Sequence, residues 1–134
     1  MIYIPFLKEY TLDGRWDLIE LFDRGGVLSL NLIELSGRRL AIIFDSYLLY
    51  RKMDEGDAML TLSLIRNTGG LGKYFYKVED SDLIRWFQSE RCYKKIDESL
   101  HHITVAADND IIDIVTLDLP TVHVAVLDGV YELD

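Results

Sequence analysis

Apolar and polar residues alternate with a period of two along most of this chain, the spacing of a strand that buries one face. Val27, Ser29, Asn31, Ile33 and Leu35 interleave with Leu28, Leu30, Leu32 and Glu34, and Ser36-Gly37 follows as a turn. The next run, Arg39 to Phe44, is apolar and aliphatic, so Gly37 is expected to close a hairpin. Tyr47 to Met53 reads as a further extended piece, with Asp45-Ser46 as the bend before it. Beyond the polar turn Asp54-Glu55-Gly56-Asp57, the run Met59 to Ile65 alternates again and predicts a fourth extended segment. His102–Ala107 and Ile111–Leu117 flank Asp108-Asn109-Asp110, whose short polar side chains tolerate the backbone of a tight turn. Thr121 to Leu127 follows Leu119-Pro120 as one more strand. Trp16–Phe22 fits both periods, and Asp13-Gly14 before it and Gly25-Gly26 after it favour a strand between hairpin turns.

One segment breaks this rhythm. Asp80 or Ser81 can cap a helix, Asp82 suits its first turn, and Leu83, Ile84 and Phe87 share one face, which predicts a helix from Asp82 to Arg91. The fold class that follows is α+β: a mainly antiparallel sheet with one principal helix packed on it, in a single domain over residues 1–134. Leu83, Ile84 and Phe87 are expected to be buried, with Leu30, Ile43, Leu62, Ile112 and Val124 in the core.

Composition narrows the class. With 49% hydrophobic and 28% charged residues the chain is globular in character. Its one cysteine, Cys92, cannot form an internal disulfide, which suits a reducing compartment, and the cytoplasm is the expected location. The longest aliphatic and aromatic run, Leu40 to Phe44, is far short of the ~20 residues of a membrane helix. Met1-Ile2-Tyr3-Ile4-Pro5 lacks the basic start of a secretion signal. A formal charge of −9 argues against nucleic acid and anionic membranes as partners.

That charge is unevenly spread. Residues 1–57 hold ten acids and seven bases, and residues 58–95 hold four acids and seven bases. Residues 96–134 hold nine acids and no Lys or Arg. Acid left uncompensated in a folded segment serves solubility or a cationic partner. The acids Asp108, Asp110, Asp113 and Asp118, on a hairpin held by Ile111, Ile112, Ile114 and Val115, are therefore the expected centre of a partner-binding surface. Asp54 and Glu55 of the earlier acidic turn join them. So does Tyr50, because Tyr is enriched at interface hot spots. Bases elsewhere in the fold, such as Arg91, Lys94 and Lys95, are the competing explanation, since they could neutralise the same acids.

The motifs for chemistry all fall short. Thr68-Gly69-Gly70-Leu71-Gly72-Lys73-Tyr74 superficially resembles a phosphate-binding loop, but Asn67 and Tyr74 stand where Gly and Ser or Thr are needed, and a strand-like run follows. His101 and His102 would point to opposite faces of a strand, and with His123 they form no metal-ligand spacing, so no metal is expected. Cys92 has a cationic setting but no partner base in its neighbourhood. No enzyme activity and no cofactor are expected.

With its acidic carboxy-terminal segment and β-rich pattern, the sequence resembles the small acidic immunity proteins of bacterial polymorphic toxin systems. The likeness lies in size, charge and texture over the whole chain. The stretch Phe44-Asp45-Ser46-Tyr47-Leu48-Leu49-Tyr50-Arg51-Lys52-Met53-Asp54-Glu55-Gly56-Asp57 also resembles bacterial proteins that accompany such systems. The resemblance implies an inhibitory binding protein that neutralises a basic toxin or nuclease domain, and it assigns no residue a role. The alternative is a small-molecule-binding or enzymatic β-rich domain, its pocket lined by tyrosines and histidines. A third is a structural subunit whose sheet edge pairs with its own copy as a homo-oligomer.

Overall fold

A computed structural model describes residues 1–10, 15–68, 74–92 and 99–125. In chain order these form β1 (Ile2–Pro5), β2 (Trp16–Arg24), β3 (Val27–Glu34), β4 (Arg39–Phe44), β5 (Tyr47–Asp54), α1 (Met59–Asn67), β6 (Phe75–Glu79), α2 (Asp82–Glu90), β7 (His101–Ala106), β8 (Asp110–Thr116) and β9 (Thr121–Ala125). The strands make two antiparallel sheets, one ordered β1-β6-β7-β8-β5 and the other β2-β3-β4-β9.

Strand parity explains how they stack. Leu28, Leu30 and Leu32 of β3 with Leu40, Ile42 and Phe44 of β4 point one way and meet Phe75, Ile103, Val105, Ile112 and Ile114 of the five-stranded sheet. The alternate residues of that sheet, Tyr76, Val78, Ala106 and Ile111, point away and close a second cluster with Tyr3, Ala58 and Ile65. The five-stranded sheet is thus covered on both faces. That is why β7 and β8 bury nearly every residue, whereas β4 buries every second one. Ile43 consequently faces outward and is only half-buried, and Val124 is 43% exposed because β9 is an edge strand. Leu30 and Ile112 are fully buried, as expected.

Two of the expected hairpins stand, while the Asp13-Gly14 turn lies outside the described residues. β2 and β3 join through Gly25 and Gly26, both at positive φ, and β3 and β4 join through a turn in which Gly37 has φ 99°. The helix expected from Asp82 is α2. Ser81 caps it by accepting the Ile84 N–H at 3.0 Å, and Arg91 stands at its C-cap. Leu83 is buried, while Ile84 and Phe87 are half-buried.

One expectation fails outright, because Met59–Ile65 is helix α1 and not a strand. Its alternation is carried by leucine, a strong helix former, and Ala58, Leu62 and Ile65 also recur at helical spacing. These are the residues that meet the second cluster. The chain enters α1 already coiled, since Glu55–Asp57 is a turn of 3-10 helix in which Asp54 accepts the Gly56 N–H at 2.8 Å. Among the described residues there are therefore two α-helices, both on the outer face of the five-stranded sheet. No helix among the described residues is long and apolar enough to cross a membrane.

Candidate functional site

Two acidic turns far apart in sequence meet at one end of the sandwich. The register of β5 on β8 sets Asp54 opposite Asp110, and the Glu55 N–H donates to the Asn109 carbonyl at 3.0 Å. The same hairpin tip is tied to the other sheet, where the Asp108 N–H donates to the Trp16 carbonyl at 2.8 Å and Asn109 Nδ2 donates to Asp17 at 3.3 Å. Asp17, Asp54, Glu55, Asp57, Asp108 and Asp110 thus crowd one rim.

Like charges set opposite one another on paired strands repel. Two cations relieve them: Lys52 Nζ lies 3.0 Å from Asp110, and Arg15 Nε lies 3.1 Å from Asp108. The bond to Asp108 raises the Arg15 guanidinium above its ordinary value. A groove of about 230 Å³ runs beside the rim, lined by Arg15, Glu55, Leu62, Arg66, Tyr74 and Asp108 among others. Burial, and after it the Asp108 charge, pushes the Tyr74 phenol up. Among the described residues, the ion pairs of Asp108 and Asp110 bring their bases, Arg15 and Lys52, from the amino-terminal region. Arg91 stands instead at the end of α2, with its guanidinium 5.0 Å from the Phe87 ring centre. Lys94 and Lys95 lie outside the described residues, as do Asp97, Glu98, Asp128, Glu132 and Asp134.

Three of the expected binding residues are elsewhere. Asp113 alternates with Ile112 and Ile114, which face the inter-sheet core, so it points under the helices and its side chain is only 1% exposed. It cannot serve as the centre of a surface. Asp118 lies eight positions along the chain from Asp110, about 25 Å away for extended backbone, where it accepts the Ser46 hydroxyl at 3.0 Å. Tyr50 packs on the inter-sheet core and meets Tyr47 edge-on at 5.6 Å, so it is no free interface patch.

Asp113 belongs to a buried polar chain that sequence reasoning did not find. Its Oδ1 accepts from His102 Nε2 at 2.8 Å and from Thr104 Oγ1 at 2.6 Å, and its Oδ2 accepts from Arg51 Nε at 2.9 Å. Burial alone would raise this carboxyl, but the bonds from His102 and Thr104 and the Arg51 charge together hold it below the usual carboxylate range. On the far side of the ring, His102 Nδ1 lies 2.7 Å from Ser81 Oγ. In the Nε2–H tautomer the imidazole donates to Asp113 and accepts the Ser81 hydroxyl proton, while Ser81 accepts the Ile84 N–H. The array therefore ties the start of α2 to β7, β8 and β5. Thr104, Asp113 and Arg51 are register partners across three strands, so pairing alone aligns them.

A cleft of about 470 Å³ adjoins this array, lined by Lys77, Asp80, Ser81, Arg85, His101 and His102 among others. Arg85 bridges Asp80, at 2.6 Å, and Asp82. Among the described residues no three His, Cys, Asp or Glu side chains converge as metal ligands. His101 is half-buried on β7, and His123 is exposed on the edge strand β9. No protein-family model, curated protein or solved structure matches this chain.

Proposed function

We propose that this chain is an inhibitory binding protein of the immunity type, acting in the cytoplasm on a basic toxin or nuclease domain through the acidic rim. One observation supports this above others: two acidic turns about fifty residues apart in sequence share a single rim, where, among the described residues, six carboxylates outnumber the nearby cations Arg15, Lys52 and Arg66. Such a field steers a cationic partner into place and raises its association rate at low salt. Because Asp108 and Asp110 are already paired and only 23% and 18% exposed, the free charge lies in the Asp54–Asp57 turn. The test is the association rate with basic toxin and nuclease domains, at two salt concentrations. Asp57→Lys and Asp108→Lys are expected to slow it by ~10-fold or more at low salt. Asp118→Lys, at the other end, is expected to leave it unchanged. Equal rates and equal salt dependence in all three variants would remove the rim from the mechanism.

A second reading rests on the Ser81, His102 and Asp113 order beside the cleft, which matches a nucleophile, base and orienting carboxylate. Against it, Ser81 is buried and already caps α2. A fluorophosphonate probe separates the two. An adduct on Ser81 that disappears in His102→Ala supports hydrolysis, and an unlabelled serine removes it.

A further inference from the structure

The acidic rim is bordered by exposed apolar side chains. Leu35 is 95% exposed at the tip of the β3–β4 turn, and Met59 and Leu60, in the first turn of α1, are 68% and 71% exposed. A single exposed leucine is ordinary. These three lie at the same end of the sandwich with the carboxylates between them. Leu35 follows Glu34, the register partner of Trp16, whose carbonyl holds Asp108, and Met59 and Leu60 follow directly on Asp57.

Leu35 is also rigidly presented. Glu34, its side chain 2% exposed, accepts from Ser36 and from both Nε and Nη2 of Arg38, and its carbonyl accepts the Gly37 N–H at 2.8 Å. Arg38 in turn stacks over Trp16 with 5.1 Å from its guanidinium to the ring centre. A turn fixed this firmly loses little entropy when its leucine is covered.

Building on the binding function proposed above, we propose that Leu35, Met59 and Leu60 are apolar anchors, and that the partner segment carries apolar residues between lysines or arginines. The carboxylates select the cations, and the anchors select a polypeptide over a simple polycation. A second copy of this chain fits poorly, because a two-fold contact through this rim would set carboxylate against carboxylate.

The experiment pans a displayed random-peptide library on the whole protein and measures the enriched peptides against variants. The anchor variant is Leu35→Ser with Met59→Ser and Leu60→Ser; Leu35→Ser alone, at a position 95% exposed, guards against loss of fold. Enriched peptides are expected to be net positive with apolar residues between their cations. They should lose about tenfold or more in affinity to the anchor variant, with the dependence on salt retained, while Asp57→Lys should flatten that dependence. Peptides that weaken with Asp57→Lys but bind the anchor variant and Leu35→Ser as well as the wild type would overturn the anchors and leave the acidic rim standing. Peptides without net positive charge, peptides indifferent to both sets, or no enrichment at all would overturn both.

Discussion

Replacing Asp113 with asparagine tests whether this acid belongs to the interior or to a surface. The substitution keeps the shape and removes the charge. An asparagine has one carbonyl oxygen, so it can face His102 and Thr104 or face Arg51, and its amide then opposes a donor on the other side. One charge-assisted bond is lost outright, at ~1.5–3 kcal/mol, and the others weaken with the charge. Arg51 is 46% exposed and can turn toward water, which keeps the total at about 3 kcal/mol, the low end for breaking a buried pair. With a urea slope of about 1.5 kcal/mol/M, the unfolding midpoint should fall by about 2 M. Asp118→Asn, bonded to Ser46 at the exposed end, should move it by less than ~0.5 kcal/mol. The Asp113 carboxyl titrates below its unfolded value of ~3.9, so its contribution is complete above that pH and disappears as pH falls through the lower folded value. The wild-type and Asp113→Asn stability curves should therefore converge in acid. A loss under ~1 kcal/mol at neutral pH, or curves that stay parallel into acid, would show that Asp113 is not the buried hub described above.

Three further outcomes are expected. Ser81→Ala removes the α2 cap and leaves His102 Nδ1 without a donor, and should cost about 2 kcal/mol by denaturant unfolding. Gly37→Ala forces a side chain onto φ 99° and should cost roughly 1–2 kcal/mol, read as a lower melting temperature, while loosening the Leu35 turn. The Tyr47 phenol, pushed up to about 12 chiefly by its hydrogen bond to Asp23, should titrate nearer its ordinary value in Asp23→Asn, measured by tyrosinate absorbance.

The rim and the buried chain differ in how far they could be seen in advance. Asp54, Glu55, Asp108 and Asp110 stand out in sequence because each lies in a polar turn between apolar runs, and both turns are real. That they meet depends on β5 pairing with β8 across two intervening helices and two intervening strands. Arg15, Lys52 and Arg51 answer the hairpin acids from the amino-terminal region, so counting charges within one segment exaggerated the hairpin's deficit.

Local pattern by itself determined the hairpins at Gly25-Gly26 and Gly37, the Asp108-Asn109-Asp110 turn and the capped helix at Ser81, because φ preferences, caps and strand parity act over a few residues. Only the tertiary structure decided the state of Met59–Ile65. The outer face of the five-stranded sheet needs a cover, and leucines at mixed spacing could coil to supply it. The same burial of one sheet on both faces turned Asp113 from an apparent surface acid into an interior one. Alternation along β8 fixes which residues share a side, but not whether the polar side meets water or a second layer.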